Sequence, residues 1–106
     1  MSDDWAIFEP PDQAQLARHA EDLIHRANLV RSGGWDQYRH VWSCGEVIGT
    51  ALVLGDGHEL ERHGETTISA LKRWAFELWG MTGGQADTDA GLQRTRAWFG
   101  SIGSAR

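Results

Sequence analysis

A serine at position 43 and a glutamate at position 46 stand directly ahead of the most apolar run in the chain, Val47 to Leu54. That spacing is a capping box, in which each side chain satisfies a backbone N–H that a helix start leaves without a partner. Trp42 and Val47 occupy the flanking positions of a hydrophobic staple. Val47, Ile48, Ala51, Leu52, Val53 and Leu54 are apolar almost all round, so the helix they form belongs inside the molecule. A run of this length can also be a buried strand, and periodicity alone does not separate the two. The capping box decides for a helix. Gly45 and Gly49, four apart, leave a bare strip where another helix can come close. Gly55 stops the helix, and Asp56-Gly57 makes a turn.

A buried helix needs others around it, and the flanking sequence supplies them. Leu16, Ala20, Leu23, Ile24 and Ala27 form one apolar stripe, which predicts a first helix over 12–31 that ends at Gly33-Gly34. Thr66 caps a further helix over 66–79, with Gly80 as its stop. Its expected core stripe is Ile68, Leu71, Ala75, Leu78 and Trp79, with Trp74 and Phe76 to either side. Asp87 or Asp89 caps a last helix, placed at 88–99, with Leu92, Thr95 and Phe99 on one side and Trp98 beside them. Between these elements, His58 to His63 reads as one or two polar helical turns and Met81 to Ala86 as a glycine-rich connection. Residues 35–42 stay open between helix, strand and loop, with helix or loop favoured because no partner strand is visible. The expected fold is all-α: four main helices around a buried central one in a single domain over 12–100. An extended arm precedes it over 1–11, and a frayed tail follows at 101–106.

Composition narrows the function classes. The chain has 106 residues with 41% hydrophobic and 24% charged residues, enough to bury a core. Its net charge of −5 is spread as −4 over residues 1–30, 0 over 31–55, −2 over 56–80 and +1 over 81–106. A nucleic-acid binder concentrates basic side chains on one face, because phosphate neutralisation supplies most of its affinity. Here the only candidate concentration is Arg94, Arg96 and Arg106 at the C-terminus, which is thin. The segment TTISALKRWAFELWG resembles the Ala-Leu-Lys-Arg helix of single-strand annealing recombinases through Ala70, Leu71, Lys72 and Arg73. The strand-rich region that precedes that helix in the family has no counterpart, so no function passes across. Cys44 is the sole cysteine, so no internal disulfide is expected. The acidic leader lacks the pattern of a signal peptide, and no apolar run approaches the roughly 20 residues a bilayer requires. The cytoplasm is the default compartment.

No catalytic or metal-binding pattern stands out. His58 and His63 are five apart and fall on different helix faces, whereas ligand pairs favour three or four, so no metal or other cofactor is expected. Cys44 sits at a helix start, where the dipole can lower a thiol pKa, yet a small buried residue is the commoner reading there. Either group would serve only a third reading, a small enzyme. Gly80-Met81-Thr82-Gly83-Gly84 lacks the lysine of a phosphate loop.

Six tryptophans in a chain this short are the strongest remaining signal. Trp42 and Trp79 have structural places, whereas Trp5, Trp35, Trp74 and Trp98 exceed what a small core can hold. Surplus aromatic surface marks contact sites. The expected function is therefore a non-enzymatic protein-binding module, an adaptor, regulator or inhibitor that binds another protein or itself. Its contact residues would be Trp5, Phe8, Trp74, Phe76 and Trp98. The alternative is a nucleic-acid-binding regulator acting through Arg73, Arg94 and Arg96. On the favoured reading, replacing Trp74 and Trp98 by Ala leaves helicity intact.

Overall fold

The structure, a computed structural model, describes residues 13–104. Within them the chain is all α, in the order α1 (Gln13–Gly33), α2 (Cys44–Leu54), α3 (Gly57–Arg62), α4 (Thr67–Asp89) and α5 (Gln93–Ser104). None of these helices is long and apolar enough to cross a membrane. The arm residues Trp5 and Phe8 lie outside the described residues.

Helix α2 is the axis of the fold and touches all four other helices. Its start is the expected capping box: Ser43 Oγ accepts the Glu46 N–H, and Glu46 Oε1 accepts the Ser43 N–H. Its end is Gly55 in the left-handed conformation, φ 66°. Val47, Ile48, Gly49, Thr50, Ala51 and Val53 are all buried. Leu23 of α1 and Leu78 of α4 are fully buried in the same core. Each such side chain contributes about 1.5–3 kcal/mol relative to an exposed one. Thr50 avoids the cost of a buried hydroxyl by donating to the Glu46 carbonyl within its own helix.

Residues 35–42 form consecutive turns, tied down by side chains at the start of α3. Trp35 Nε1 donates to Asp56 Oδ2, and Arg39 donates through Nε and Nη2 to both carboxylate oxygens of Glu59. Trp42 is held between the Tyr38 ring, stacked at 4.6 Å, and the Arg26 guanidinium at 4.8 Å.

Three expectations change. Met81–Ala86 is helical and belongs to α4, because Gly83 and Gly84 serve close packing and not flexibility. The last helix begins five residues later than placed, at Gln93, and α5 continues to Ser104 with Ile102 buried where a frayed tail was expected. Asp87 still caps it, reaching across the Ala90-Gly91-Leu92 turn to accept the N–H groups of Arg94 and Thr95. Ile68, placed on the core stripe of α4, is 45% exposed, and Trp74 takes the inward position with Ala70 and Leu71.

Candidate protein-contact face

Trp74 is 6% exposed. Its indole lies against Gly49 of α2, and its Nε1 donates to the Gly45 carbonyl. Trp98 is half-buried, stacked against Trp74 with ring centroids 6.4 Å apart, and Phe99 meets both rings edge-on. These aromatics join α4 and α5 to α2. The surface position expected for Trp74 is therefore wrong: the bare strip at Gly49 gives the indole a seat inside.

Phe76 does reach the surface, and the backbone explains why. Gly80 interrupts α4 with φ 78° and ψ −177°, a conformation open in practice only to glycine. The segment after the break turns back against the one before it. A Cβ on Gly84 would stand 2.7 Å from Phe76 Cα, and one on Gly83 would stand 2.8 Å from Trp79 Cβ. Phe76 remains 38% exposed and Met81, directly after the break, 73% exposed. Together with Thr82, Gln85, Ala86 and Asp89 they line an open cleft between the two parts of α4. Lys72 lies one turn before Phe76 on the same helical face and makes no ion pair among the described residues. Among the described residues, Asp89 accepts only the side-chain amide of Gln85. Sequence periodicity placed Phe76 beside the core stripe, but Met81 was hidden in a segment read as a linker.

A second, more polar groove lies between α1, the start of α2 and α4. It is lined by Arg18, His19, Asp22, Glu46, Arg73 and Glu77, with Trp74 at its base. The His19 ring meets Trp74 edge-on at 5.6 Å, and its Nε2 lies 4.0 Å from Glu77 Oε1. Ser43 also borders it, with its hydroxyl engaged in the α2 cap. Three carboxylates and two guanidiniums leave the groove without a dominant sign of charge.

The remaining candidate residues are scattered among structural contacts. Arg73 pairs with Glu65 at 3.2 Å, Arg94 lies over the Trp79 ring at 3.8 Å, and Arg96 donates to the Gly91 carbonyl. His58 is exposed on α3, whereas His63 Nε2 is 2.9 Å from Glu59 Oε2. Cys44 is exposed at the first position of α2. Among the described residues no three His, Cys, Asp or Glu side chains are grouped to hold a metal ion.

Two buried carboxylates are held ionised. Hydrogen bonds from Arg39 lower the Glu59 pKa, outweighing burial, with His63 assisting. Burial pushes Asp87 up, but hydrogen bonds from the Thr95 hydroxyl and from the Arg94 and Thr95 N–H groups more than offset it, and its pKa is lowered. Trp79 Nε1 donates to the Thr95 hydroxyl at 3.0 Å, so Asp87, Thr95 and Trp79 form one buried chain of hydrogen bonds.

No protein-family model matches the chain, and neither a curated protein nor a solved structure matches it.

Proposed function

We propose that the protein is a non-enzymatic protein-binding module whose contact face is the Phe76–Met81 cleft of α4. One observation carries this reading: two large apolar side chains stand exposed side by side, on a backbone held open by Gly80. Surface patches of this kind mark sites of protein contact. Methionine suits such a face because its thioether side chain adapts to its partner. Of the residues first named for contact, Phe76 is retained. Trp74 and Trp98 serve as support for α4 beneath the face.

The test is a pull-down from nuclease-treated lysate with the wild-type chain and with Phe76→Ser/Met81→Ser. The expected result is a defined protein held by the wild type and lost from the variant. Equal recovery by both would remove the cleft from the contact.

A further inference from the structure

We infer that the Phe76–Met81 face docks a second copy of this chain, in a two-fold arrangement that sets Lys72 opposite the partner's Asp89. The inference rests on the contact face proposed above and names its occupant.

The face carries its own electrostatic complement. Lys72, the sole lysine of the chain, stands one turn before Phe76 and is uncompensated among the described residues. Asp89 borders the cleft from the second part of α4, and among the described residues its side chain meets only a neutral amide. Asp89 thus lines the cleft itself, and Lys72 stands one helical turn beyond it, before Phe76, with the exposed Phe76 and Met81 as the apolar centre. A two-fold axis through such a centre makes the patch meet itself, and each cation then faces an anion twice over. A partner of uniform charge would satisfy only one of the two.

The exposed part of the face is small. A stable dimer buries about 800 Å² per partner, so this contact belongs with weak, reversible association. Opposite charges then matter chiefly for register, because like-charge pairs exclude the wrong orientation.

The experiment is sedimentation velocity on the full chain over a concentration series up to millimolar, with Lys72→Glu and Asp89→Lys alone and mixed. Wild type is expected to show a monomer–dimer equilibrium. Each variant alone turns both ion pairs into like-charge contacts and should weaken dimerisation by about tenfold or more. Mixed one to one, the variants restore both pairs and should form a heterodimer of wild-type affinity. Dilution should also shift the Met81 methyl resonance.

A wild type that stays monomeric overturns the inference. So does a mixture that associates no better than its components, or a Met81 methyl unmoved by dilution. If wild type is monomeric while Phe76→Ser/Met81→Ser still loses a partner from lysate, only the second-copy inference falls. If neither experiment involves the face, the binding-module reading falls with it.

Discussion

The six-membered ring of Trp74 lies so close to Gly49 that a Cβ at position 49 would stand 2.5 Å from Trp74 Cζ2. Gly49 is fully inside α2, and helix propensity alone favours Ala there by about 1 kcal/mol. The steric conflict is the larger effect, because Trp74 is wedged between Gly49, Trp98 and Phe99 and cannot withdraw. Overpacking of a closed core costs about 1–3 kcal/mol and sometimes more. Gly49→Ala should therefore lower unfolding free energy by about 2 kcal/mol in urea titration. A variant as stable as wild type would mean that the indole has room to move.

Trp74→Ala should unfold the protein or come close to it, contrary to the surface role its sequence position suggests. Removing a buried tryptophan costs about 3–5 kcal/mol, a large share of a small domain's stability. Trp98→Ala, at a half-buried ring, should cost distinctly less. Circular dichroism melts of the two single variants separate them. Equal melting points would contradict the burial difference.

This reversal shows where sequence reasoning reaches and where it stops. Caps and stops are local chemistry, so Ser43–Glu46, Thr66, Gly55 and Gly80 could all be read from spacing. The apolar stripe of α1 was equally legible. The inward side of α4 was not, because Ile68 and Trp74 differ by which one finds a complementary surface. Gly49 provides that surface and is remote in sequence. Gly83 and Gly84 misled for the same reason: a glycine pair that permits close packing looks like one that permits flexibility. The ties of Arg39 to Glu59 and Trp35 to Asp56 join residues about twenty positions apart, beyond any periodic pattern.

Acid should destabilise the protein through Glu59 and Asp87. Both have folded-state pKa values below their unfolded ones. Their contribution is fully present above the unfolded carboxylate range, near pH 4–5, and is lost as pH falls through the depressed folded values. Wild-type melting temperature should hold from neutral pH to about pH 5 and decline below it. Glu59→Gln keeps the shape but not the titration, so its decline should be shallower, with the part owed to Asp87 remaining. An unchanged slope would show that the Arg39–Glu59 pair does not govern acid stability.

Gly80→Ala tests whether the exposed face depends on the break in α4. The backbone at φ 78° and ψ −177° excludes a Cβ in practice, and forcing one there costs about 1–3 kcal/mol. Relief by straightening the helix would pull Gly84 away from Phe76 and dismantle the cleft. Phe76→Ser/Met81→Ser removes Met81, which is largely in water, and Phe76, which is partly so, and leaves the break untouched. The first variant should therefore lose both stability and association, whereas the second should lose association with a distinctly smaller drop in melting temperature. If Phe76→Ser/Met81→Ser instead melts as early as Gly80→Ala, the two side chains hold the halves of α4 together, and the surface is a core edge and not a contact face.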